Sequence, residues 1–342
     1  MSAPTSSPAP LESSGGVQPR APWRWSQLWQ RWETLLLTLL ALVMIVNGLL
    51  TPYFWDPANL GDSTFNFSAK GIIALGMALI ILTREIDLSV SSIIALSSLA
   101  MGYAALAGVG WFGLVFVGVG VGAACGLLNG FLVIRFAVPS IAITLGTMSL
   151  FRGISQAVLG DQALTQYPSA FSALGQGYVL KYLPIVFAVF LVLALIVGFV
   201  LARTRLGRNL YAIGNNPEAA RYSGIPVNRY RLALFTLSGM LSGLASVFLT
   251  GYVSSTRPNI AQGWELDVIT MVVFGGVSIA GGAGSIFGVV LAVLTLGMIS
   301  FGMGLKNVPG IVASIVIGLL LVVAIALPPL IKRVGQRNGR MR

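Results

Sequence analysis

Long, uninterrupted apolar runs limit what this chain can become more than any other feature of its sequence. Several of them, such as 34–51, 111–134 and 184–202, approach the ~20 residues that a helix needs to cross a bilayer. No water reaches the hydrocarbon to satisfy backbone N–H and C=O groups, so only helices and closed barrels can span it. Barrel strands would show as short alternating segments, and these runs are long and continuous. With 56% hydrophobic and 9% charged residues in a chain of 342, the composition is not that of a soluble globular domain. The chain reads as an all-α, polytopic integral membrane protein of about ten transmembrane helices. The expected spans are 34–51, 70–83, 88–107, 111–134, 138–160, 184–202, 232–253, 266–281, 285–303 and 309–328. The second is short for a full crossing, and Arg152 leaves a break open in the fifth.

Three regions follow from this pattern. Residues 1–33 form an N-terminal tail, rich in Ser, Pro, Ala and Gly up to Pro22, with no cleavable signal evident. Trp23, Trp25, Trp29 and Trp32, interleaved with Arg24 and Arg31, then suit the membrane surface. Residues 34–328 form the membrane domain, and 329–342 a basic tail. The net charge of +11 has a simpler cause than nucleic acid, because the basic residues gather in the gaps between spans. With the N-terminus inside and ten crossings, sixteen of the 21 basic residues fall on the inner side. They include Arg84, Arg135, Lys332 and the six arginines of 203–231. That agreement with the positive-inside rule puts both termini and the stretch 203–231 in the cytoplasm.

Catalytic groupings are scarce. Without histidine, neither a Ser–His–Asp arrangement nor a His-based metal site can form; no metal site is expected. Cys125 is single, and no glycine-rich run has the form of a nucleotide-binding P-loop. The carboxylate pairs Glu85/Asp87 and Glu265/Asp267 lie at span edges on opposite sides of the membrane. Asp87 and Asp267 there read as helix caps. The matching Glu-Ile-Asp-Leu and Glu-Leu-Asp-Val hint at an inverted internal repeat. Ion-coupled carriers need ionisable groups deep in the bilayer, and the spans offer little beyond Arg152. A polar path could use Asn129, Thr144, Thr147, Gln156 and Ser242, though each could equally serve an interhelical hydrogen bond.

Glycine is patterned. Gly118, Gly122, Gly126 and Gly130 share one helix face and admit another backbone closely. The run from Gly275 to Ser285, with Gly276 and Gly282 within it, is too glycine-rich for a straight helix and should bend or break.

The polar island Arg203–Arg231 holds a short segment punctuated as a helix at both ends. Asn216 suits the N-cap, Pro217 the first helical position, Glu218 the first turn and Arg221 the last. Gly224 suits a left-handed stop, with Pro226 just beyond. A helix this short is marginal alone in water, so it needs something to dock against.

These residues resemble the permease subunits of bacterial ABC importers for ribose, rhamnose, related sugars and autoinducer-2. The likeness rests on Gly214-Asn215-Asn216-Pro217-Glu218-Ala219-Ala220-Arg221-Tyr222-Ser223-Gly224-Ile225, on Glu85-Ile86-Asp87-Leu88-Ser89-Val90, on Leu206-Gly207-Arg208, and on the glycine run 275–285. It covers everything from the first span to the last. Thr83-Arg84-Glu85 replaces glycines common before Ile-Asp, and Ser91 replaces the usual Gly, as in the rhamnose and autoinducer-2 branches. The resemblance implies a dimer with an identical or paralogous permease, two cytoplasmic ATPase subunits, a periplasmic solute-binding protein and a small sugar-like substrate. ATP and Mg would be bound by the partner ATPases, with no cofactor in this chain. It implies an ATPase-coupling role for Asn215, Asn216, Pro217, Glu218, Ala219, Ala220, Arg221, Ser223 and Gly224. Asp87, Ser89, Gly275, Gly276 and Gly282 become structural positions. A stand-alone carrier or channel is the other transport class these residues allow; an integral-membrane enzyme lacks its catalytic groups.

Overall fold

The computed structural model describes residues 32–320 and 322. The N-terminal tail with Trp23, Trp25 and Trp29, the end of the tenth expected span and the basic tail 329–342 lie outside the described residues. Within them the protein is helical: α1 (Trp32–Leu50), α2 (Pro57–Leu82), α3 (Val90–Leu106), α4 (Trp111–Phe136), α5 (Ser140–Leu159) and α6 (Ser169–Gln176) come first. A two-stranded hairpin, β1 (Tyr178–Leu180) with β2 (Leu183–Pro184), precedes α7 (Ile185–Arg203), α8 (Arg205–Asn215) and α9 (Pro217–Tyr222). The rest is α10 (Val227–Val253), α11 (Trp264–Phe274), α12 (Ile286–Leu305) and α13 (Gly310–Leu320).

Each expected span falls at least in part on one helix, the eighth only as far as Phe274 and the tenth within its described residues, but the helices are not equal. Six of the described helices are long and apolar enough to cross a membrane, and α2 makes a seventh although it bends by 47° between Phe65 and Phe67. The helices α3, with 17 residues, and α11, with 11, are shorter. At 1.5 Å per residue, α11 covers only about 16 Å of a ~30 Å hydrocarbon layer. The fifth span is not broken at Arg152, since α5 is continuous from Ser140 to Leu159.

The second span is longer than expected because its first half is disguised by polar residues. Ser63, Thr64 and Ser68 are buried, and their hydroxyls donate to the carbonyls of Leu60, Gly61 and Thr64 one turn back. Polar side chains satisfied within their own helix can enter a core. The second half, Ile72 to Leu82, is buried all round, as a helix apolar on every face must be. This half is the axis of the bundle. The most apolar helix, α7, leaves most of its surface to the surroundings.

The strongest seam joins α4 to α10. A Cβ on Gly122 would run into the carbonyl of Gly239, one on Gly126 into Phe235, and one on Gly239 into Gly122. Gly118 and Gly130 close the same face against Val247 and Leu232. The four-residue glycine spacing therefore serves close packing, with the two backbones in contact.

The glycine run 275–285 lies beyond the end of α11 rather than inside a span. Gly276, Gly281, Gly282 and Gly284 have φ of 87°, 78°, 71° and 147°, values that no continuing helix allows. Gly275 instead abuts Gly288 and Val289, folding α12 back beside α11. The break is thus a connection at one end of the bundle and lines none of the described cavities.

Candidate functional site: a braced helix at one end of the bundle

The short helix α9 is punctuated as its residues require. Asn216 Oδ1 accepts from Glu218 N and Ala219 N, both at 3.0 Å, and Pro217 opens the helix. At the other end Gly224 takes φ 82°, with its N–H on Arg221 O and that of Ile225 on Ala220 O, both at 3.0 Å. This pair of hydrogen bonds is the left-handed glycine stop. One face is anchored, because Ala220 is buried in a small apolar cluster with Ile213 and Val227. The other presents Glu218, Ala219, Arg221 and Tyr222, the last 92% exposed. A six-residue helix would be marginal alone; anchoring one face and capping both ends lets it hold its shape.

What holds this unit to the membrane domain is the connection between α2 and α3, residues 83–89. Arg84 Nε donates to Gly214 O at 2.6 Å and its Nη2 to Asn215 O at 2.5 Å. The guanidinium therefore meets the carbonyl end of α8, where a cation suits the helix dipole, one residue before the cap of α9. The next residue, Glu85, is buried and faces Arg231 in the second turn of α10, with Oε1 2.8 Å from Nε in an ion pair whose N–H is not aimed at the oxygen. Neighbouring side chains of one loop thus brace the chain on both sides of α9. Arg84 holds this post at φ 68°, in the left-handed position of a second helix stop, with its N–H on Ile81 O and that of Glu85 on Ile80 O. Glycine is the usual occupant of such a position.

The glycine run completes the platform. Gly282 N donates to Leu82 O at 2.9 Å, Tyr211 Oη donates to Gly284 O at 2.8 Å, and Gly282 packs on the side chain of Asn215. A Cβ on Gly214 would strike Leu82 O. From the other side Trp32 Nε1 donates to Phe274 O and Ser285 Oγ to Glu33. Three segments far apart in sequence, 83–89, 214–216 and 281–285, thus meet where α9 begins.

Beneath this platform sits a buried polar knot, and Asp87 is its centre rather than a helix cap. Ser89, not Asp87, precedes α3. Asp87 Oδ1 accepts from Ser89 N at 3.0 Å and Ser89 Oγ at 2.6 Å, and Oδ2 from Ser238 Oγ of α10 at 3.3 Å. Asn129 of α4 donates to Ser89 Oγ at 2.8 Å. Full burial pushes the Asp87 carboxyl above its usual range, against the hydrogen bonds that pull it down. Its sign is that of a raised carboxyl: stability falls as pH climbs from the ordinary carboxyl range through the raised value. Asp87→Ala, which strands three donors, is expected to cost ~1–3 kcal/mol. Asp87→Asn keeps an acceptor for Ser89 and removes the pH slope. Thermal unfolding of the purified variants across pH checks both.

The other expected positions disperse. Thr144 and Thr147 are buried and donate within α5, to Ser140 O and Thr144 O. Ser242 donates to Ser238 O in α10. Among the polar residues picked for a path, only Gln156 is exposed to a cavity. Asp267 is not a cap either; it pairs with Lys70 of α2, which also lies over the Trp264 ring. The two Glu-x-Asp stretches differ in backbone as well, one irregular and the other the first turn of α11. The Arg84 and Glu85 contacts escaped sequence reading; their one signal was the pair of charges standing where glycines are usual.

These features define a multi-pass helical membrane protein that carries a short, capped helix with one exposed face at one end. The chain belongs to the family described as branched-chain amino acid transport system / permease component, whose model matches residues 59–325. It is similar to the autoinducer 2 import system permease protein LsrD of Escherichia coli K12 and of Shigella flexneri. With each it shares 36% identity over 300 residues, covering 86% of this chain and 91% of the relative. No solved structure matches. The protein is a permease subunit of an ABC importer, a transport component rather than a catalytic one.

Proposed function

We propose that this chain is the membrane half of an importer for a sugar-like solute, such as rhamnose, ribose or autoinducer-2. It works as a dimer with an identical or paralogous permease. Two separate ATPase subunits seat α9 in a cleft, and a periplasmic binding protein delivers solute to the opposite end. In this reading the arginine-rich end faces the cytoplasm, in keeping with the positive-inside rule. ATPase closure pushes on α9; the load passes through α8 and Arg84 to α2, the axis of the bundle, and the helices open to one side or the other.

The observation that carries this reading is the geometry of α9. It is capped by Asn216, stopped by Gly224 and exposed along one face while its ends are braced to the core. A peg so built transmits displacement without changing shape. The substrate class rests on the likeness to the autoinducer 2 permeases.

The test is co-purification with the cognate ATPase, followed by ATP hydrolysis with and without the loaded binding protein. Loaded binding protein is expected to stimulate hydrolysis. Gly224→Val has room for its side chain but not for its φ. This variant is expected to reach the membrane normally and to lose both ATPase capture and stimulation. Solute uptake by the purified chain alone, without hydrolysis, would overturn the proposal.

A further inference from the structure

We propose that a polar cavity at the end of the bundle opposite α9 is a solute site for a neutral, polyhydroxylated small molecule. The inference rests on the transport reading above and adds the residues and the ligand chemistry. The cavity has a volume of ≈ 320 Å³ and lies between the second half of α5 and the start of α11. Ser91, Ser149, Arg152, Gln156, Gln262 and Glu265 supply its polar lining. Its size falls within the ~300–1,000 Å³ that holds small ligands.

Two of these side chains are placed in ways that packing alone does not explain. Arg152 sits in an apolar helix, where a cation marks a path more often than a fold. Its Nη1 donates to Pro258 O and Ile260 O, both at 2.8 Å, fixing the 257–260 loop, whose Arg257, Pro258 and Asn259 line a neighbouring cavity. Among the described residues its other nitrogens make no hydrogen bond, so they stay free for a ligand. Glu265 Oε2 is buried and has no hydrogen-bond partner among the described residues. A buried acceptor left unmet is costly, and a ligand hydroxyl in the cavity would meet it.

The chemistry of the set is that of polyol recognition. A carboxylate accepts from hydroxyl groups, a guanidinium and two amides donate to ring or hydroxyl oxygens, and Ser149, whose hydroxyl donates to Leu145 O, can accept. Arg152 and Glu265 balance in charge, so neither an anion nor a cation is favoured. Gln156 also lines a second cavity of ≈ 670 Å³, together with Gly160, Asp161, Arg257 and Asn259, again with one carboxylate and one guanidinium. Gln156 is the residue the two cavities share, so they lie side by side along the end of α5. By contrast Thr144 and Thr147 donate within their own helix, and Asn129 donates to Ser89 while its Oδ1 has no partner among the described residues; none of the three lines either polar cavity.

The experiment uses the full chain in nanodiscs and saturation-transfer NMR with three probes: D-ribose, L-rhamnose and glucuronate. At least one neutral sugar is expected to show contact, and glucuronate none. Glu265→Gln, which turns an acceptor into a donor, and Gln156→Leu, on an exposed position that cannot unfold the helix, are each expected to weaken binding about tenfold. Arg152 is left in place because it holds the loop. Silence of both neutral sugars, equal binding of glucuronate, or signals unchanged in both variants would overturn the site. The transport reading fails separately, by loss of ATPase stimulation while the sugar signals persist.

Discussion

Arg84→Gly is expected to leave the protein folded and to uncouple it. The substitution places glycine in a left-handed position, φ 68°, that an arginine occupies at a cost of ~1–2 kcal/mol. The backbone bonds of the helix stop, Arg84 N to Ile81 O and Glu85 N to Ile80 O, need no side chain. Local strain is relieved, and thermal stability in detergent should change little. What is lost is the pair of hydrogen bonds from the guanidinium to Gly214 O and Asn215 O, the direct charged link between the axis of the bundle and the base of α9. Coupling free energies of ~1–3 kcal/mol correspond to ~5- to 150-fold effects. Solute moved per ATP hydrolysed should fall within that range while basal hydrolysis continues. Normal stoichiometry in Arg84→Gly would show that Gly282, Tyr211 and the small cluster around Ala220 carry the load without it.

Gly122→Val should abolish the folded protein, whereas Gly120→Val, one short step along the same helix, should be tolerated. At Gly122 any side chain meets the backbone of α10 at Gly239 and Gly243. Neither helix can yield without opening the seam that runs from Gly118 to Gly130. Collisions with backbone belong to the largest single-residue effects, more than ~4 kcal/mol, against a total stability of ~5–15 kcal/mol. Gly120 is exposed, and a Cβ there has nothing within 4 Å. Expression and monodispersity by fluorescence-detected size exclusion would separate the two variants. A well-behaved Gly122→Val would mean that α4 and α10 do not touch as closely as their glycines indicate.

These two positions differ in how far they could be read in advance. The glycine face of α4 was legible because a four-residue spacing can only place its members on one side of a helix. The caps of α9 were legible for a similar reason, since Asn216 and Gly224 act through bonds within a few positions and Pro217 through its own fixed φ. The first half of α2 was hidden because Ser63, Thr64 and Ser68 lower its apolarity, although their hydroxyls are satisfied inside the helix. Arg84 and Glu85 gave only the hint of charges where glycine is usual. Their partners lie 130 residues away for Gly214 and 146 for Arg231, and nothing local encodes that distance.

The sequence by itself determined the class of architecture, the approximate helices, the close-packing face of α4 and the shape of α9. Those follow from backbone satisfaction in hydrocarbon, helical periodicity and capping, all short-range rules. Only the tertiary structure decided that Asp87 ties α3, α4 and α10 together, that the glycine run is a platform at the bundle end, and that Arg84 braces α8. It also decided that the polar cavity gathers Gln156, Arg152 and Glu265. Such groupings depend on which helices lie side by side, and that is set by the packing of all the helices at once.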